Sequence, residues 1–314
     1  MSDDFEQAIL QRFQPTFLFS KDDCANAPTA FAPDTLAPTP LPHTEGTIYG
    51  QVSPGQASLA QGTGSVGGIS GGVVSGGMIE VHYFHLWARD CGQRGHPLDA
   101  ERVSVLLERE RGDSTAANDW TALYWYSSAH EATVCDASRI HTASSLQAET
   151  AGPRVWVSKG KHASYLEQAR CRQGCRADKC VDVPEALTYS SALVINLGEP
   201  GRAMNGASWA NAASWQLSAK MQKSDFLAAD LDALSAARST ALSSGEGTSI
   251  AVGARPMSGF QTAVAIASQP PQKTGMALDQ ASQHTDSAIQ RSAKEVRRSL
   301  IRAFASTVEF VSGR

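Results

Sequence analysis

The chain has no uninterrupted run of about 18 apolar residues, so no membrane-spanning helix is expected. It also lacks an excess of basic charge. Its 27 Lys and Arg stand against 31 Asp and Glu, a formal charge of -4, and nucleic-acid partners require a basic surface, so none is expected. H-E-x-x-H and Walker sequences are absent, which removes helix-borne zinc proteases and P-loop enzymes. Cysteine is missing from the last 134 residues. All six (Cys24, Cys91, Cys135, Cys171, Cys175 and Cys180) fall in the first 180, and an even number confined to one part of a chain reads as disulfides formed in an oxidising compartment. A secreted or periplasmic location follows as an expectation, although MSDDFEQAILQRFQPTFLFS is acidic and is no signal peptide as written. Spacing does not fix the pairing, and CRQGCRADKC alternatively offers three thiolates to zinc.

What is present reads as strands. QPTFLF, Met78 to Ala88, Glu101 to Arg109, Trp120 to Ala129, Arg154 to Lys159 and Thr188 to Leu197 are rich in Val, Tyr, Trp and Leu and are separated by Gly, Asp, Asn and Ser. Regular short strands without intervening helical periods predict an antiparallel β-sandwich over residues 1 to 222, with Trp209 and Trp215 anchored on it and no parallel pairs. A Gly-rich loop is expected at 50 to 77. Its Gly62-Thr63-Gly64-Ser65-Val66-Gly67 matches G-x-G-x-x-G in form, but low-complexity glycine surrounds it where a strand and a helix are required. Residues 223 to 314 are read as an α-helical C-terminal extension with a linker near 243 to 275. Ser224 or Asp225 is the expected N-cap of a helix carrying Phe226, Leu227, Leu231 and Leu234. In the last helix Ile289, Ala293, Val296, Leu300 and Phe304 share one face and Arg291, Lys294, Arg297, Arg298 and Arg302 the other, a pattern that suits packing on the domain or peripheral contact with an anionic membrane.

The chemistry concentrates in Gly95-His96-Pro97-Leu98-Asp99-Ala100-Glu101. In a strand, side chains alternate faces, so Asp99 and Glu101 share a side with Val103, Val105 and Leu107, while Arg102, Ser104 and Glu108 take the other. Carboxylates at the end of a buried face cost several kcal/mol unless a cation, donors or a metal compensate them. Two further strand ends carry imidazoles: Tyr126-Ser127-Ser128-Ala129-His130, and Ser158 to Tyr165 with His162. Imidazole and carboxylate together suit Zn, Mn, Mg or Ca. The competing reading pairs Asp99 and Glu101 with Arg94, Arg102 or Lys161 and leaves the histidines as ordinary polar residues. Ser164 is no nucleophile by adjacency to His162, since geometry defines such partners, and Cys91 is read as a disulfide partner.

The series YFHLWARD, GHPLDAERVSVLL, LYWYSSAHE, VWVSKGKHASY and INLGE resembles the vacuolar protein sorting-associated protein sixty-two family over roughly Phe17 to Met221. The heptad also resembles, locally, the GHRHDWE heptad of the necrosis-inducing proteins, secreted β-sandwich toxins. There the first His, the Asp and the Glu help hold a divalent cation beside a cavity for sphingolipid sugar headgroups. The resemblance implies a divalent metal at His96, Asp99 and Glu101, with His130 and His162 as direct or supporting ligands. Leu98 and Ala100 stand where the toxins have His and Trp. The expected function is a metal-centred binding module for a polar ligand, a glycan or lipid headgroup. The alternatives are a metal-dependent hydrolase, with Glu101 or His130 as base and His162 as acid, and a passive scaffold whose helical tail mediates assembly or membrane attachment.

Overall fold

The computed structural model describes residues 1–24, 27–42, 46–54, 77–92, 95–109, 116–131, 133, 135–175, 178–180, 186–189 (backbone only), 194–212, 215–221, 223–227, 230–234 and 249–252. They form a mainly β fold of two mixed sheets.

The chain starts with α1 (Asp3–Arg12), whose N-cap Ser2 accepts the Phe5 N–H and whose Phe5, Ile9 and Leu10 are buried. Then follow β1 (Thr16–Ser20), β2 (Ile48–Pro54), β3 (Met78–Arg89), β4 (Pro97–Arg109) and β5 (Trp120–Ser127). After these come β6 (Arg139–Thr142), β7 (Arg154–Val157), β8 (Ser164–Tyr165), α2 (Gln168–Gln173), β9 (Ala186–Tyr189), β10 (Val194–Asn196), α3 (Gln216–Lys220) and β11 (Ser249–Ala251). Among the described residues, one sheet has the order β8-β7-β1-β9 and the other β10-β2-β3-β4-β5-β6-β11.

The antiparallel expectation fails at two places. β1 pairs with β7 in parallel, and β10 pairs with β2 in parallel. The single strand expected from Thr188 to Leu197 is two: β9 joins β1, and β10 joins the edge of the other sheet. Both corrections have one cause, since an apolar run records that a segment is extended and not which distant strand it meets. The G-x-G-x-x-G segment and the expected last helix with its basic face lie outside the described residues, as does most of the linker near 243 to 275.

The two sheets share a core in which Phe17, Phe19, Val155 and Val157 meet Val81, Tyr83, Val103, Val105 and Trp125. Each such large buried side chain contributes about 1.5–3 kcal/mol of transfer free energy. Leu10 closes over β2 so tightly that a Cβ on Gly50 would lie 2.3 Å from its Cδ2, which is why glycine stands in that strand. A second cluster gathers Phe31, Tyr49, Trp209 and Trp215, the anchoring expected of the two tryptophans. Beyond β10, the side-chain amides of Gln7 and Asn205 donate to the carbonyls of Val194 (3.1 Å) and Asn196 (2.8 Å).

β3 and β4 are buried on both faces. Register sets Trp87 opposite Asp99, His85 opposite Glu101 and Tyr83 opposite Val103, all facing the intersheet core. The opposite face carries Glu80, His82, Arg102, Ser104 and Leu106. Phe226, Leu231 and Leu234 pack on that outer face with Leu106, Tyr126 and Ile140. Asp230 to Leu234 are helical, but Asp225 does not serve as a simple N-cap. Its carboxylate is taken by Arg102, and Ser224 donates to Glu80.

Three disulfides close the chain: Cys24–Cys91, Cys135–Cys175 and Cys171–Cys180. No cysteine is free, so CRQGCRADKC supplies two different bridges and no zinc thiolates. The bridges fit an oxidising environment.

Candidate functional site

The heptad enters β4 earlier than its sequence suggested, at Pro97 rather than Glu101. Strand alternation therefore governs Asp99 and Glu101 as expected, and both turn toward the intersheet core. Asp99 is 4% exposed. Its Oδ2 lies 3.1 Å from Nδ1 of His162, and its Oδ1 accepts the Ala100 N–H. His162 is fully buried, stacks on Trp87 with ring centroids 3.7 Å apart, and brings Nε2 to 3.6 Å from Asp23 Oδ2. Burial pushes this imidazole's pKa down, but Asp23 and Asp99 outweigh it and raise it to about 9. His162 is therefore an imidazolium at neutral pH, held between two carboxylates and against an indole face. Burial likewise works to raise both carboxyls, and the hydrogen bond and charge of His162 hold them below the usual range.

Glu101 is less well provided for. Ser128 Oγ donates to Oε2 at 2.9 Å, and Lys220 Nζ stands 3.9 Å from Oε1 while donating to the Ala100 carbonyl. Burial pushes its pKa up to about 7, with Lys220 opposing and Asp99 reinforcing the shift. His130 lies 2.6 Å from Asp178 and edge-on to Tyr165. Burial lowers its proton affinity, but Asp178 more than reverses that. His96 is the outermost member, 3.3 Å from Asp90, whose other partners are Lys161 and the Gly92 N–H. The five expected residues thus occupy neighbouring ion pairs and do not converge on one point. His162 meets Asp99, while His96, Glu101 and His130 each have a different partner.

The expected counter-charges also change. Arg102 faces away from Asp99, Lys161 serves Asp90, and Arg94 lies outside the described residues. Sequence reasoning missed Asp23, Asp90, Asp178, Lys220 and Trp87. A usable signal existed for the first two, because Asp–Cys occurs at both 23–24 and 90–91 and one disulfide joins the pair.

Backbone strain collects here. Six described non-glycine residues have positive φ, and three of them are Leu98 (63°), His130 (54°) and His162 (55°). Each costs of order 1–3 kcal/mol and persists only where its surroundings over-determine it, as functional sites do. Gly160, at φ 88°, makes the turn before His162 and donates its N–H to Asp23.

A serine–imidazole contact nearby is not a nucleophile. Ser164 Oγ lies 2.7 Å from His85 Nε2, and the Trp87 indole N–H donates to His85 Nδ1 at 2.8 Å. Burial keeps His85 neutral at ordinary pH, so its one proton sits on Nε2 and points at Ser164. The imidazole cannot accept the serine proton. Ser164→Ala is expected to leave ligand binding unchanged, and a serine-directed fluorophosphonate should give no adduct in the intact mass; stoichiometric labelling at Ser164 would refute this.

Among the described residues, two groups have three ligand-type atoms within 4.8 Å of one another. One is Asp23 with Cys24 and Cys91, whose sulfurs are spent in the disulfide. The other is Glu80, His82 and Asp225 on the outer face, all buried. Arg102 already gives Asp225 two hydrogen bonds, at 2.8 and 2.5 Å, and Ser104 adds a third at 2.5 Å. Glu131 and Lys223 complete this network, which ties the 223–227 segment to the sheet. No family model, curated protein or solved structure matches this chain.

Proposed function

We propose that the protein is a β-sandwich binding module of an oxidising, secreted or periplasmic setting that holds a divalent cation at the start of β4 and presents it to a polar ligand, a glycan or lipid headgroup. The observation that carries this reading is Glu101: a largely buried carboxylate with one hydroxyl donor and its nearest ammonium, Lys220, 3.9 Å away, in the field of both Asp99 and His130. A group so placed is under-compensated, and a cation is the compensation its chemistry calls for. Asp99 and Glu101 supply carboxylates; His96, paired with Asp90 and standing apart from them, joins only by leaving that pair. His162 and His130, committed to Asp99 and Asp178, hold those groups in place. A bound cation would keep Glu101 ionised and offer open coordination positions to hydroxyl or phosphate oxygens. Lys161 and Lys220 lie close enough to assist an anionic headgroup.

The decisive test is elemental analysis of purified protein after exposure to calcium, magnesium, manganese and zinc, beside a folded Asp99→Ala/Glu101→Ala variant. About one cation per chain in the wild type and none in the variant is expected; no cation in either removes the proposal.

A hydrolytic reading of the same centre rests on Glu101 having its pKa near 7, the proton affinity of a general base at neutral pH. His162 would then be the proton donor. Turnover of ester, phosphodiester or glycoside substrates that vanishes in Glu101→Gln would favour it over binding alone.

A further inference from the structure

We propose that the Cys24–Cys91 disulfide is a redox lock on this site: oxidised, it holds Asp23 and Asp90 against His162 and His96, and reduction releases both aspartates while the cores stay closed. Each cysteine directly follows one of the two aspartates, so the bridge crosslinks the very segments that carry them. The β1–β2 connection and the β3–β4 connection otherwise meet through the turn at Gly160. That residue donates to Asp23 and accepts from the N–H groups of Cys91 and Gly92.

Two further observations bear on access to this bridge. Cys24 is exposed and Cys91 half-buried, whereas Cys135 and Cys175 are both half-buried and Cys171 is fully buried. Neither Cys24 nor Cys91 belongs to an apolar cluster, while Cys171 is part of one and Cys180 packs against it. Opening Cys24–Cys91 therefore removes a tie between loops and no core contact. Exposed disulfides of this kind are the ones thiols reach first. The reductant is a dithiol. It supplies two electrons and two protons, the Sγ–Sγ bond breaks, each sulfur becomes a thiol, and the reductant closes its own disulfide.

The consequence for binding rests on the cation-centred reading, but the lock can be tested without it. The full chain is titrated with dithiothreitol under native conditions and quenched with iodoacetamide, and alkylated cysteines are mapped by mass spectrometry. In parallel, the ring resonances of His162 and His96 are followed by NMR. Cys24 and Cys91 should be alkylated before Cys135, Cys171, Cys175 and Cys180. The His162 resonances, set by its stacking on Trp87, should move as the bridge opens and return on reoxidation. The Cys24→Ser/Cys91→Ser variant should show the reduced positions without any reductant. Three bridges opening together would overturn the lock, as would selective opening with both histidines unmoved.

Calcium titration of that variant, which needs no chelating dithiol, should then show affinity lower by about 10- to 100-fold, the usual cost of losing supporting groups around a metal. A wild-type chain that binds no cation would end the cation proposal alone, because the alkylation order and the histidine resonances do not depend on a metal.

Discussion

Replacing Arg102 with alanine is expected to lower the unfolding free energy by about 3–5 kcal/mol, read from denaturant melts at pH 7. Arg102 is fully buried and is the cation that Asp225 and Glu131 share. Removing it leaves Asp225 fully buried without its guanidinium and Glu131 with Lys223 as its cation, and the desolvation of Asp225, rather than the lost attraction, makes the effect large. The pH dependence gives a second check. Burial works to raise the Asp225 carboxyl, but Arg102 holds it well below the usual range. A depressed carboxyl contributes stability above its unfolded pKa, near 3.8, and loses it as pH falls through the folded value. Wild-type protein should therefore weaken on acidification below about pH 4. Arg102→Ala should instead gain stability between about pH 7 and 5, because protons relieve buried acids that have lost their shared guanidinium. A loss under about 1 kcal/mol would mean that the network contributes little beyond packing.

Glu101→Gln is expected to act in the opposite direction. The wild-type carboxyl rises from 4.5 to about 7, so the stability it contributes is complete below about 4.5 and is lost as pH rises through about 7. The shift corresponds to at most about 3 kcal/mol between those limits. Glutamine keeps an oxygen for the Ser128 hydroxyl and cannot ionise. The variant should match the wild type near pH 4 and exceed it by about 1–3 kcal/mol at pH 8 in chelator. Adding the divalent cation should restore the wild type at pH 8 and leave the variant unchanged. Identical pH profiles for the two proteins would show that Glu101 is already compensated without a metal.

These two residues also mark where the sequence could be read and where it could not. Alternation gave the central strands β3, β4 and β5 and correctly set Asp99 and Glu101 on the side of Val103 and Val105. It also put Arg102 on the other side. It could not name Asp225 as the partner of Arg102, 123 residues away, or His162 as the partner of Asp99, 63 residues away. Long-range pairs of this kind are chosen by which strands become neighbours. The same blindness merged β9 with β10 and hid both parallel pairs. The imidazoles at 130 and 162 were singled out as strand ends, but β5 stops at Ser127 and β7 at Val157, so both lie in the turns that follow, and their left-handed backbones were not foreseen, since neither is a glycine. The cysteine count anticipated disulfides, and only folding could select one of fifteen pairings.

The amides of Gln7 and Asn205, described above on the outer carbonyls of β10, have a consequence for the molecule in a crowd. An unprotected sheet margin is a template on which another copy can add a strand and begin a fibre. A copy approaching β10 finds the carbonyls of Val194 and Asn196 already engaged and must break two bonds before it can make its own. Two uncharged side chains, one from the first helix and one from a late turn, thereby act as a stopper against polymerisation along that margin.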